Sequence, residues 1–250
     1  MAGLVTGAAT MGRVHDTLRA VRRRSPPALQ RLLYRCRSAA TSEPLSRNFG
    51  WERGTPVDRL YIEEFVEANA DCIRGCVLEI GDAVYSRRFG GSAISRQDVL
   101  HVDKDSPEAT MVGDVCDPDV LESGAFDCII FTQTLHLLFD VQQGIRQLYR
   151  ALAPGGTLLL TVPGISPIDP FAWKDCWYWS LSYASVKQLL NQNFGHDNHA
   201  IETFGNVYAA TAFLHGAVLE EVELAALRKP DPGYPVVICA RAMKPATAQA

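Results

Sequence analysis

Three acids, one histidine and a cluster of aromatics are the residues of this 250-residue chain whose types and spacing could do chemistry. Glu79 is the single charge in the apolar stretch 76–80, which Gly75 and Gly81 bound. An acid near the end of a buried strand is costly without a partner, so Glu79 is expected to point into a site. Gly81 lets the chain turn sharply and lets a ligand approach the backbone. A second apolar stretch, 98–102, ends at Asp103, roughly the spacing at which a carboxylate grips ribose hydroxyls in a nucleotide-binding fold. His136 is the one histidine just beyond a strand end. As a general base it would remove a proton from a hydroxyl, since its ordinary pKa lies near working pH; the alternative is a structural histidine bonded to a loop carbonyl. Phe171, Trp173, Trp177, Tyr178 and Trp179 crowd the Pro-rich segment 163–182. They could wall a sugar ring or another flat or apolar group, or anchor a lid to the core.

These groups need strands to hold them. Beyond 76–80 and 98–102, the stretch 110–113 reads as a short strand ending at Asp114. The continuous apolar run 126–131 reads as a strand buried on both faces. Thr132, Gln133 and His136 follow it, at the crevice where ligands bind to parallel sheets. Val141, Ile145, Leu148 and Leu152 have helical spacing, with Pro154-Gly155-Gly156 as the stop and 157–162 as the next strand, a parallel strand–helix–strand unit. A helix is expected over 56–69, with Thr55 as cap and Pro56 at its first position. Leu60, Phe65 and Val66 supply part of its buried face, and Tyr61 lies on that face or over a bound ligand. Further helices are expected at 185–194 and, broken at Gly216, over 206–227; strands are expected at 200–204 and 234–241. Gly90-Gly91 makes a long helix after Gly81 unfavourable.

Val77-Leu-Glu-Ile-Gly81, Asp103, Gly113-Asp114, Phe126-Asp-Cys-Ile-Ile130 and Leu152-Ala-Pro-Gly-Gly156 stand in an order and spacing that resemble class I S-adenosylmethionine-dependent methyltransferases. The likeness is greatest to the type 11 small-molecule group, and within it to a bacterial branch associated with glycan assembly. Phe49-Gly-Trp-Glu-Arg-Gly-Thr-Pro56, Thr132-Gln-Thr-Leu-His136 and Gly205-Asn-Val-Tyr208 extend it to roughly residues 47–244. The resemblance implies a Rossmann-like α/β fold. Its sheet would be mostly parallel with a final antiparallel strand, helices on both faces and an N-terminal helical arm in front. It implies S-adenosyl-L-methionine as cofactor and methyl transfer to an oxygen of a sugar, a glycan precursor or another small metabolite. By the same likeness Asp114 accepts a hydrogen bond from the adenine amino group, and the N–H of Val115 or Cys116 meets a ring nitrogen; a plain turn-forming role is the alternative for Asp114. Glu79 would serve the cofactor's amino group and Asp103 its ribose. Thr132 and Gln133 would line its methionine end, with Gly81 and Asp82 in the loop between. The family's further glycines are missing here, so Arg87 or Arg88 would meet the carboxylate, unless both face solvent. Tyr61, Trp173, Trp177 and Tyr178 are the candidate substrate contacts, and aromatic faces could also attract the methylsulfonium.

Composition bounds the rest. Residues 1–60 hold eleven arginines against four acids, a balance of +7, which leaves −11 for the remainder of a chain whose total is −4. An acidic body argues against a nucleic-acid partner. The expected organisation is a basic arm and linker (1–46), a methyltransferase domain (47–244) and a short tail (245–250). Within the arm, 14–24 and 28–37 read as basic helices separated by Pro26-Pro27. Peripheral contact with an anionic membrane, a transit peptide and a lid packed on the domain are its three readings. Residues 1–10 make a poor signal peptide. Seven scattered cysteines without C-x-x-C fit a reducing, cytoplasmic compartment and no metal site. A nicotinamide-dependent oxidoreductase is a rival, but Ala83 and Ser86 stand where its glycines belong. A non-catalytic partner with this fold is another, supported only by the irregular loop 82–91.

Overall fold

The computed structural model describes residues 26–38 and 41–246, so the expected helix at 14–24 lies outside the described residues. Seven strands form one sheet: β1 (Gly75–Ile80), β2 (Ile94–His101), β3 (Met111–Val112), β4 (Phe126–Thr132), β5 (Leu152–Pro163), β6 (His199–Phe204) and β7 (Val237–Met243). Their order is β3-β2-β1-β4-β5-β7-β6. The first five run parallel, and β7 lies antiparallel to both β5 and β6. This is the Rossmann-like arrangement that the resemblance implied.

Alternation along the central strands sorts side chains onto two faces. Leu78, Ile129 and Phe131 share one core with Ile145 and Leu148 of α3 (Val141–Ala151) and Val186 and Leu190 of α4 (Tyr183–Phe194). Val77, Cys128 and Ile130 share the other with Ile62 and Phe65 of α2 (Val57–Ala68) and Ala209 and Phe213 of α5 (Val207–Leu214). Each fully buried Leu, Ile or Phe contributes about 1.5–3 kcal/mol. The sheet is therefore clamped from both sides, and its strand ends are held firmly enough to position a site.

Local chemistry sets the helix ends. Asp140 caps α3 by accepting from the Gln143 N–H at 2.8 Å, and Asn206 caps α5 through the Ala209 N–H at 2.9 Å. Ser182 and Ser185 form a capping box on α4. Thr55 does not cap α2. The capping residue is Pro56, and the Thr55 carbonyl instead accepts from the Leu219 N–H at 2.9 Å. Helix α3 ends at Ala151, before Pro154-Gly155-Gly156, because those residues already belong to β5 and the Gly155 N–H pairs with the Lys244 carbonyl at 2.9 Å. After Gly81 the chain makes only a short helical turn, widening to π geometry at Ser86–Gly90, as the double glycine implied. Of 206–227, only α5, a 3-10 turn at Leu219–Glu221 and α6 (Leu224–Leu227) are helical, with Gly216 at φ +65° between them.

The expected linker is partly built into the body. The Leu45 and Ser46 N–H groups donate to the His215 carbonyl, and the Ser46 hydroxyl accepts from the Asn48 and Gly50 N–H groups. Helix α1 (Pro27–Ser38) packs on the Leu219–Glu221 turn. Among the described residues no helix is long and apolar enough to cross a membrane.

Candidate active site

A cavity of about 480 Å³ opens at the carboxyl ends of the parallel strands, a size suited to a small-molecule ligand. Strand ends supply its floor: Ile80 at the end of β1 and Gly81 after it, Leu100 to Val102 at the end of β2, Gly113 to Val115 after β3, Phe131 on β4 and Gln133 just past its end. Phe49, Trp51, Asp58 and Arg59 close it from the N-terminal side, Phe213 from α5, and Trp173, Cys176 and Trp177 from the segment after β5.

Of the residues singled out in the sequence, Gly81, Asp114, Val115, Gln133, His136, Trp173 and Trp177 meet on this cavity. Gly81 has φ +89°, and a Cβ there would meet nothing within 4 Å, so only the missing side chain holds that space open. Asp114 turns one carboxylate oxygen to the Cys116 N–H at 2.8 Å. Gln133 sits at φ 49°, a conformation that non-glycine residues rarely adopt. Its N–H donates to the Thr161 carbonyl at 2.8 Å, fixing the end of β4 to β5.

His136 is 2% exposed, and its ring lies 4.3 Å from that of Trp177. Its Nδ1 is buried with no partner among the described residues. Burial pushes its pKa down to about 4, so the ring is neutral at working pH rather than poised there as the sequence suggested. Its backbone carbonyl accepts from the Tyr178 and Trp179 N–H groups at 3.1 and 3.3 Å, tying the aromatic segment to the end of β4.

Eight singled-out residues stand off the cavity wall. Glu79 is 1% exposed, and its carboxylate accepts from the Tyr85 N–H (3.0 Å), the Ser86 N–H (2.8 Å) and the Ser86 hydroxyl (2.5 Å). It holds the start of the loop helix behind Gly81 instead of facing a ligand. Burial raises its pKa, against the pull of those donors. Asp82 accepts from the Val84 N–H at 3.0 Å and opens the same turn. Arg87 pairs with Glu108 at 2.8 Å and Arg88 with Glu63 at 2.6 Å, both on the surface, because the helical turn carries them outward. Asp103 lies two residues beyond β2, exposed, and accepts from the Asp105 N–H at 2.9 Å; Val102 next to it is on the wall. The Thr132 carbonyl accepts from the Thr134 hydroxyl at 2.8 Å. Tyr61 is a core residue: 2% exposed, stacked on Phe204, its hydroxyl donating to the Leu227 carbonyl at 2.8 Å. Tyr178 is 47% exposed and packs edge-on against Phe139.

Sequence reading missed a partly buried ion pair on the wall. Arg59 donates to Asp58 at 2.8 Å and to the Tyr85 hydroxyl at 3.3 Å, and its guanidinium lies 5.7 Å from the Trp51 ring centroid. Burial works against the Arg59 charge, but Asp58 and Tyr85 more than offset it and raise its pKa. Arg59 Nε and Asp58 Oδ1 remain buried without partners among the described residues. One signal was available: Asp58 lies four residues before Ile62 and seven before Phe65, a charge on the apolar face of α2.

Residues 83–160 match the methyltransferase domain family. No curated protein matches the sequence. The fold is similar to that of an S-adenosylmethionine-dependent methyltransferase from Archaeoglobus fulgidus, 11% identical, covering 74% of this chain and 94% of that one at a TM-score of 0.50. It is also similar to a chain from the complex of the Haloferax volcanii Trm112 methyltransferase activator with a methyltransferase (17% identical, 75% and 91% covered, TM-score 0.52). The [4+2]-cyclase SpnF is a third (15% identical, 76% and 81% covered, TM-score 0.50). At these identities the likeness shows the fold, which by itself leaves the reaction open. The matched segment spans 78 of the 250 residues and points the same way as the fold, toward methyltransferases.

Proposed function

We propose that this chain is a class I methyltransferase with S-adenosylmethionine as cofactor, and that it methylates an oxygen of a small, ring-shaped acceptor, a sugar or another flat hydroxyl compound, lying on the aromatic wall beside His136. The observation that carries this reading is that His136, Trp177 and Trp173 line the same cavity as Gly81 and Asp114. A hydroxyl on that wall would lie within reach of both a proton acceptor and the methyl donor.

The residues present fit the cofactor. Gly81 leaves open the space that a Cβ would fill, and the unpartnered Arg59 Nε and Asp58 Oδ1 suit a carboxylate and an ammonium. Asp114 and the Val115 N–H would hold the adenine, Gln133 the methionine end, and Asp103, one residue beyond the wall, the ribose. When bound, the cofactor supplies an electrophilic methyl group on a sulfonium. The chain's own part is positioning. Trp173 and Trp177 hold the acceptor's flat face and exclude water. His136, neutral and desolvated, accepts the hydrogen bond of the acceptor hydroxyl at the ring nitrogen that is not sealed in, orients an oxygen lone pair, and takes the hydroxyl proton as the oxygen is methylated, passing it to solvent afterwards.

The reading is tested by incubating the enzyme with deuterated-methyl cofactor and a panel of sugars and phenols, and locating the label by mass spectrometry. Label on oxygen supports it; label on nitrogen or carbon overturns it. His136→Gln, which keeps the backbone carbonyl that ties the aromatic segment, should lower turnover by about a hundred-fold with cofactor affinity unchanged.

A further inference from the structure

Helix α1 turns its apolar stripe away from the body. Gln30 and Tyr34, four residues apart, are buried on the inner side, and Arg31 pairs with Glu223 at 3.7 Å. On the outer side Leu29, Leu32 and Leu33 are 44%, 57% and 41% exposed. Cys36 is exposed one turn further on. These positions are i, i+3, i+4 and i+7, a single helical face. A helix that only covered its own domain would bury that face, and a contiguous apolar patch left outside marks an interaction site.

Charge identifies the partner. Arg35, also exposed, flanks the stripe. Residues 1–38 hold eight arginines against one aspartate, so this end carries +7 while the remainder of the chain carries −11. We propose that the outer face of α1 docks on an anionic lipid bilayer, its leucines entering the headgroup–acyl boundary and its arginines meeting lipid phosphates. A nucleic-acid backbone would use the arginines but not three adjacent leucines. A second copy of the chain would bring two +7 segments together. The bilayer uses both features.

The test is co-sedimentation of the full chain with phosphatidylcholine vesicles and with phosphatidylcholine vesicles containing phosphatidylglycerol, at low and high salt. Wild type should bind the anionic vesicles at least roughly tenfold better than the neutral ones, and high salt should weaken that binding. Leu32→Ser/Leu33→Ser and Arg35→Glu should each reduce it by roughly tenfold, with melting temperature and cofactor affinity unchanged. Absence of vesicle binding, or equal binding to both vesicle types, would overturn the proposal. So would a double-serine variant that binds like wild type. Tighter binding to RNA that survives the serine substitutions, or a wild-type dimer that the double variant turns into a monomer, would assign the face to another partner and equally overturn it.

Discussion

Replacing His136 by glutamine removes an ionisable ring that burial holds neutral, and the consequence can be worked out. The folded-state pKa is about 4 against 6.5 for the free side chain. Between those values the unfolded chain binds a proton that the folded chain refuses. The stability due to the neutral ring is therefore fully present above pH 6.5 and is lost as pH falls toward 4. Relative to the variant, wild type should lose about 1.4 kcal/mol on going from neutral pH to about pH 5.5, and about 2.5 kcal/mol by about pH 4.5. Urea unfolding of both proteins at these pH values measures it, and carboxylates common to both cancel in the difference. The same shift requires the methylation rate to show no His136 titration between about pH 5.5 and 8. A stability difference that stays constant with pH would refute the reasoning. The ring would then titrate normally, and a rate rising through pH 6.5 would be expected instead.

Other perturbations separate core from site. Glu79→Ala leaves the Tyr85 and Ser86 N–H groups buried without an acceptor and should cost about 2–5 kcal/mol, measured by denaturant midpoint; an unchanged midpoint would contradict its role behind Gly81. Tyr61→Phe should lower stability by about 1–2 kcal/mol while cofactor affinity by calorimetry stays at the wild-type value; weakened binding would return Tyr61 to the site. Arg87→Ala removes only a surface pair and should change stability by about 0–1 kcal/mol, with no effect on cofactor affinity.

The sheet was legible because its central strands are apolar on both faces and their order follows from parallel strand–helix–strand units. Gly81, Asp114, Gln133 and His136 were legible for a related reason: in such a sheet, residues just past a strand's carboxyl end face the crevice. Glu79 was misplaced because a buried acid needs a partner, and the sequence does not say whether that partner is a ligand or the chain. Here it is the first amides of the following turn, only six and seven residues on. Tyr61 and Arg59 failed in opposite directions. The Tyr61 hydroxyl finds the Leu227 carbonyl 166 residues away, and Arg59 reaches a cavity whose floor begins at Ile80. Contacts of that separation follow from how α2 packs on the sheet, not from any local pattern. Arg87 and Arg88 looked suited to a carboxylate until the short turn at 84–90 aimed them at Glu108 and Glu63.

The central claim is that S-adenosylmethionine occupies the cavity at the ends of β1 to β4, with Asp114 on its wall. Calorimetric titration of the cofactor into the full wild-type chain and into Asp114→Ala tests it most directly. Among the described residues the Asp114 carboxylate accepts from the Cys116 N–H, an exposed bond, so its loss should leave the melting temperature nearly unchanged. Losing one charge-assisted hydrogen bond to the adenine should weaken affinity by about ten- to hundred-fold. Equal affinity in the two proteins, or no binding by wild type, would contradict the placement of the cofactor in this cavity.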